Sequence, residues 1–292
     1  MTSSPATPAP RSTREAATAT PRGSAARRDA WPEPIAPVRF ILDVGAVLDL
    51  EIRKLRHDPL ELMTRAVQPV LWLLIFGKVI AHLRAIPTGS TGYLDFLTPG
   101  ILAQSALFVS IFYGIAIIWE RDLGILHKFL VSPASRLSLV LGKAFSAGIR
   151  ALTQAVVVAA IALAVGVHIR FAPQALLGVA VAVVAGAACF AILSLIVASL
   201  VRTRERFMGI GQLLTMPLFF ASNAIYPIAI MPGWLRSVAR LNPLTYQVDA
   251  LRALLVPGNV VTYGLGEDFA VLFLTLTVLA LIAARLYPRV AR

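Results

Sequence analysis

Glu120, Arg121, Gly124, Leu126, Phe129, Leu130, Pro133 and Arg136 fall in one charged segment, punctuated by Gly and Pro, between two long apolar runs. A carboxylate and a guanidinium side by side, followed by apolar side chains, suit recognition by another protein rather than bond-making. An ionised side chain at the bilayer centre costs roughly 2.5–3.5 kcal/mol on insertion scales. The segment therefore has to emerge into water on the cytoplasmic side, where a partner can grip it.

Two further sets recur at helical spacing: Gln104, Phe108 and Phe112, with Ser105 and Tyr113 beside them, and Gln212, Thr215, Phe219 and Asn223. Such faces could hold an amphipathic molecule by apolar contact plus a few hydrogen bonds. Packing between helices, with polar residues as interhelical links, accounts for the same pattern. Covalent chemistry finds no foothold. Gly142-Lys143 is followed by Ala144 and lacks an upstream glycine-rich loop, so no P-loop exists and ATP chemistry has to come from a partner. His57, His82, His127 and His168 are scattered singly, which argues against a metal site. No G-x-S-x-G elbow occurs, and no cofactor is expected on this chain.

The elements that must position these residues are membrane helices. Of 292 residues 58% are hydrophobic and 14% charged, against roughly 25% charged in soluble domains. The mean hydropathy is +0.77. The net charge of +12 lies at the ends of apolar runs, so it reads as a topology signal facing anionic lipid and not as a nucleic-acid surface. The single cysteine, Cys189, allows no intramolecular disulfide.

The expected fold is all-α, with about six spans of about 20 residues each. They are placed at 66–84, 97–119, 145–167, 175–200, 207–225 and 268–287, with Pro87, Pro99-Gly100, Pro173, Pro227 and Pro257-Gly258 among the breaks. Residues 1–38, rich in Ala, Ser, Thr, Pro and Arg, are expected to be a disordered cytoplasmic tail; Arg27-Arg28 is followed by no apolar core that would make it an export signal. In 39–64, Leu48, Ile52 and Leu55 share one helical face and Asp49, Arg53 and Arg56 another. An interfacial helix or a cytoplasmic extension of the first span fits that pattern. Residues 65–292 form the transmembrane domain.

Lys and Arg cluster before the first span (Arg53, Lys54, Arg56, Arg65), in the second connection (Arg121, Lys128, Arg136, Lys143), in the fourth (Arg202, Arg204, Arg206) and in the tail (Arg285, Arg289, Arg292). Both termini are therefore expected inside, with Arg84 and Arg170 alone in the first and third connections. The fifth connection mixes Arg236, Arg240 and Arg252 with Asp249, Glu267 and Asp268. Within it, Tyr226-Pro227 interrupts an apolar run and Asn242-Pro243 restarts a helix, which reads as a re-entrant helix pair forming an outer gate; a plain external loop is the alternative. Arg150, early in span three, is expected to snorkel to the inner surface.

The middles of the spans hold essentially no acids, although ion-coupled transporters place Asp, Glu or His there. A conduit without its own coupling group points to an external engine. A passive channel or membrane scaffold is the alternative, and an ion-coupled secondary transporter is a more distant one.

Glu120-Arg121-Asp122-x-Gly124-x-Leu126, running to Val131-Ser132-Pro133-Ala134-Ser135-Arg136 and Leu141-Gly142-Lys143, resembles the cytoplasmic coupling segment of type-2 ABC exporter permeases, especially daunorubicin-resistance and nodulation-exporter-like subunits. Ala221-Ser222-Asn223-Ala224-Ile225-Tyr226-Pro227, Met231-Pro232-x-Trp234-Leu235, Asn242-Pro243-Leu244-Thr245-Tyr246 and Asp249-Ala250-Leu251-Arg252 are similar to that family's signature near the outer end of span five. Ile125 and His127 depart from its usual Thr and acid.

The resemblance covers roughly 40–290. It implies a six-span half-transporter in the bacterial inner membrane, paired with itself or a close relative. It further implies two docked ABC ATPase subunits that carry ATP and Mg, and a drug, lipid or lipid-linked glycan as cargo. Leu126, Phe129 and Leu130 on one side of a coupling helix would seat in an ATPase groove, with Glu120, Arg121 and Arg136 as rim contacts. Displacement there would tilt span two.

Overall fold

The computed structural model describes residues 67–84, 86–88, 91–123, 136–201, 203–258 and 261–290, with single positions at 42, 44, 45, 49, 53 and 64. All lie in the compact unit Ala36–Arg292. The expected tail 1–38 lies outside the described residues, as do Leu48, Ile52 and Leu55 of the N-terminal helix and Gly124, Leu126, Phe129, Leu130 and Pro133 of the coupling segment.

Among the described residues there are helices and no strands. In chain order they are α1 (Val67–Leu83), α2 (Tyr93–Asp122), α3 (Arg136–Ala164), α4 (Pro173–Leu200), α5 (Arg204–Phe220), α6 (Gly233–Leu241), α7 (Pro243–Leu255) and α8 (Leu265–Val290). A 3-10 turn at Ile228–Ile230 precedes α6. Among the described residues four helices are long and apolar enough to cross a membrane: α2, α3, α4 and the Leu265–Leu286 part of α8. α1 is a shorter apolar helix, and α5 has 17 residues. At 1.5 Å per residue α5 reaches about 25 Å, short of a hydrocarbon core of about 30 Å.

The expected span 97–119 is longer in the structure, because the helix continues through its polar ends to Tyr93 and Asp122. Pro99-Gly100, expected to be a break, lies inside α2. A missing N–H two turns into a membrane helix is tolerated when neighbouring groups take up the freed polarity. Pro173 does mark a break, as the first residue of α4, where its fixed φ suits a helix start.

α4 is the hub, packing against α2, α3, α7 and α8. Lipid tails are as apolar as leucine, so helices in a membrane associate by close van der Waals packing, which small residues permit. Ala182, Ala185, Gly186, Ala187, Ala188, Ala191, Ser194 and Ala198 supply that surface and are buried. Cys189 sits among them with its Sγ 3.4 Å from the Leu272 carbonyl of α8. α1 carries a π turn at Trp72–Gly77, and the Trp72 ring meets Phe219 of α5 edge-on at 5.5 Å.

Candidate functional site

α2 places Gln104, Phe108 and Phe112 one helical turn apart along a single face, as the spacing predicts. The two phenyl rings lie near-parallel, 6.1 Å apart. The three side chains wall a cavity of about 340 Å³, lined also by Gln68 at the start of α1 and by Gln154 of α3. Ser105 also lines it, but its hydroxyl donates to the Ile101 carbonyl at 2.8 Å. Gln154 is 1% exposed, and neither its amide oxygen nor its nitrogen has a hydrogen-bond partner. None of the described lining residues is ionisable. Gln154 was missed in the sequence because no second polar residue follows it at helical spacing in the Ala/Val-rich run 155–165.

The second expected set does not join this cavity. Gln212 is exposed and parts from Thr215 and Phe219, which face inward. Thr215 donates back to the Gly211 carbonyl at 2.6 Å, and Phe219 belongs to the apolar core. Tyr113 lies under the Arg150 guanidinium, 5.6 Å from the ring centre.

At the foot of α2 the charges hold helices together. Lys143 of α3 donates to the Glu120 carboxylate, with side-chain exposures of only 4% and 11%. Arg121 donates to the Val201 carbonyl at 3.2 Å. Arg204, at the start of α5, donates to Asp122 at 2.9 Å and stacks over Trp119 at 3.7 Å. Arg136 opens α3 and is exposed. One junction thus ties α2 to α3 and to the α4–α5 turn. Lys143 is legible in sequence only as a basic flank, since 23 residues separate it from Glu120.

The end of the bundle away from the α2 foot is built on Asn242, Tyr226 and a buried cation. Asn242 caps α7 by accepting from the Leu244 N–H at 3.0 Å, and its amide donates to the Leu218 carbonyl at 2.7 Å. Pro243 follows as the first helical residue and Pro227 opens the 3-10 turn. Tyr226 donates to the Phe220 carbonyl. Arg252, counted in the sequence among loop cations, is 2% exposed. It donates to the Asn223 carbonyl at 2.8 Å, lies 3.9 Å over the Phe96 ring and sits 3.9 Å from Asp249.

Asp249 in turn accepts from the Thr262 and Tyr263 N–H groups, each at 2.9 Å, and from Asn223 at 3.4 Å. Gly100 lets α2 approach this turn, for a Cβ there would lie 2.3 Å from the Ala224 carbonyl oxygen. Gln247 also has both amide atoms unpartnered, but it is pressed against Gly186, where a Cβ would lie 2.2 Å from its amide carbon. Asp268 is fully buried, and neither carboxyl oxygen has a hydrogen bond. Burial raises the phenol pKa of Tyr226 and Tyr263, in the connections flanking α6 and α7, so both remain donors at neutral pH.

The model of the ABC-2 type transporter family matches residues 43–256, which takes in the cavity walls, the α2 foot and the chain through α7. The chain belongs to that family. It is a multi-pass membrane permease of an ABC transporter, a class of subunit whose partner is an ABC ATPase. It is 29% identical over 220 residues to the transport permease ycf38 of Cyanophora paradoxa, covering 74% of each chain. It is 25% identical over 212 residues to the doxorubicin resistance ABC transporter permease protein DrrC of Mycobacterium tuberculosis H37Rv, covering 72% of this chain and 75% of that one. With the multidrug ABC transporter permease YbhR of Escherichia coli K12 it shares 30% over 162 residues, 54% of this chain and 42% of the other.

Proposed function

We propose that the chain exports a hydrophobic or amphipathic substrate, such as a drug, a lipid or a lipid-linked glycan, out across a bacterial inner membrane. A separate ATPase carrying ATP and Mg drives it, and a second copy or a close relative completes the conduit. Six crossings, with α1 and α5 as short members and both termini inside, fit the basic clusters at the inner ends. On this reading α6 and α7 form the re-entrant pair, and Tyr226, Pro227, Asn242 and Pro243 shape the outer gate.

The observation that carries the reading is the continuity of α2. One unbroken helix of 30 residues ends inside at the Glu120–Lys143 junction, walls the cavity with Gln104, Phe108 and Phe112, and meets the outer turn at Gly100. Phe112 stands ten residues above the foot, about 15 Å along the axis. A push on Glu120, Arg121 and the adjoining segment from Gly124 to Arg136 therefore moves the cavity wall directly. Leu126, Phe129, Leu130 and Pro133 would be the ATPase contacts. Gln212, Thr215, Phe219 and Asn223 contribute through packing near the path, with only Gln212 free to meet cargo or a second copy.

The test is transport in proteoliposomes containing the chain and its ATPase subunit, with an amphipathic dye as cargo. Dye movement should require hydrolysable ATP and stop with a Glu120→Ala permease. ATP-independent flux would establish a passive channel instead, and loss of flux on collapsing ion gradients with ATP present would establish ion coupling.

A further inference from the structure

The cavity beside α2 holds a feature that packing does not explain. Gln154 is buried to 1% exposure on an otherwise apolar stretch of α3, and its amide donates to nothing and accepts from nothing. A buried amide without partners is unfavourable, since it has given up its water for no compensating bond. An unpartnered amide at a cavity wall is placed to bond whatever polar group enters the cavity. Facing it across the space are the paired rings of Phe108 and Phe112, which favour an offset or edge-on aromatic guest.

The charge of the guest is constrained too. The described lining contains Gln, Ser, Thr, Pro and apolar side chains and no ionisable group. The nearest cation along α3, Arg150, lies one turn away, over Tyr113. Among the described lining residues a carboxylate or ammonium would find no counter-charge in a low-dielectric setting. An amide presents one acceptor and two donor hydrogens on a planar edge, so its complement is another planar group with both an acceptor and a donor.

We propose that Gln154 is the polar recognition point of this cavity, and that it reads an uncharged aromatic group bearing a hydrogen-bond acceptor and donor on one edge, as in a lactam or carboxamide. The inference rests on the reading of the cavity as part of the cargo path. It narrows the cargo from any amphipathic molecule to one presenting a neutral, donor–acceptor aromatic face. Gln104, 3% exposed, lines the same cavity from α2.

Binding to the full chain with its ATPase in lipid nanodiscs tests this. The probes are 2-quinolinone, naphthalene and the anion 1-naphthoate, with similar fused rings but different edges. Wild type should bind 2-quinolinone at least about tenfold more tightly than naphthalene, and 1-naphthoate least tightly. Gln154→Leu should bring the 2-quinolinone to naphthalene ratio close to one while naphthalene affinity holds; Gln154→Met, differently shaped, should do the same. Phe108→Ala should weaken both neutral probes.

If Phe108→Ala weakens both but Gln154→Leu and Gln154→Met keep the tenfold preference, the amide meets only water and the inference is overturned, while the cavity reading stands. If Phe108→Ala leaves both affinities unchanged, or no probe binds wild type, the cavity is not on the path and both fall.

Discussion

Gln154 and Gln247 are the same side chain in the same condition, fully buried with both amide atoms unpartnered, yet the regions around them differ. Gln247 lies on α7, wedged onto Gly186 of α4, where even a Cβ would lie 2.2 Å from its amide carbon. Gln154 lies at the wall of an open cavity. Burial of a polar group therefore does not by itself mark a working site. The space in front of it decides.

The outer end is a closed polar core whose members hold the 221–227 turn against α2, and its substitutions should register as lost structure. Gly100→Val should have the largest effect, because its added carbons meet backbone of Ala224 and not a movable side chain. Size-exclusion of the detergent-solubilised chain should show no folded species; a monodisperse peak would mean that α2 and the turn can separate. Arg252→Met comes next. It leaves Asp249 without its buried counter-ion, so it should cost toward the upper end of roughly 3–5 kcal/mol, read as a lowered thermal midpoint.

The inner junction is intermediate in burial and should show it. Glu120→Gln removes one carboxylate to which the buried Lys143 ammonium donates, for a loss below that roughly 3–5 kcal/mol range. It should also uncouple ATP hydrolysis from transport, and the exchanged pair Glu120→Lys with Lys143→Glu should recover part of the stability. The smallest changes in stability are expected from Gln154→Leu and Gln247→Leu, each within about 1 kcal/mol of wild type, because removing an unsatisfied amide offsets the altered packing. Transport should separate them: Gln154→Leu alters which cargo moves, and Gln247→Leu does not. Equal transport phenotypes would erase the contrast between the two regions.

Much of this was legible because membrane insertion leaves few choices. Apolar runs of span length located α2, α3, α4 and α8, and the Pro and Asn positions at 227 and 242–243 marked the short helices between α5 and α8. The face of Gln104, Phe108 and Phe112 followed from a period of 3.6. What escaped was what the chain brings together over distance. Lys143 meets Glu120 from another helix, and Arg252 is drawn into the interior by Phe96 and Asn223. A basic residue in a connection reads as a surface charge until its partners are placed. The Gln212 to Asn223 face failed as a unit because α5 ends at Phe220, so Asn223 leaves the helical register and turns toward Asp249.

Cys189 has one more consequence. It is the single thiol in the chain and has no exposed surface, and a buried cysteine in apolar surroundings is inert to alkylating reagents. A cysteine introduced at Trp234 or Gln212 would thus be the sole attachment point for a maleimide spin label or fluorophore. Distances across a working transporter could then be followed through the ATP cycle without first stripping out a native residue from the helix that packs most of the others.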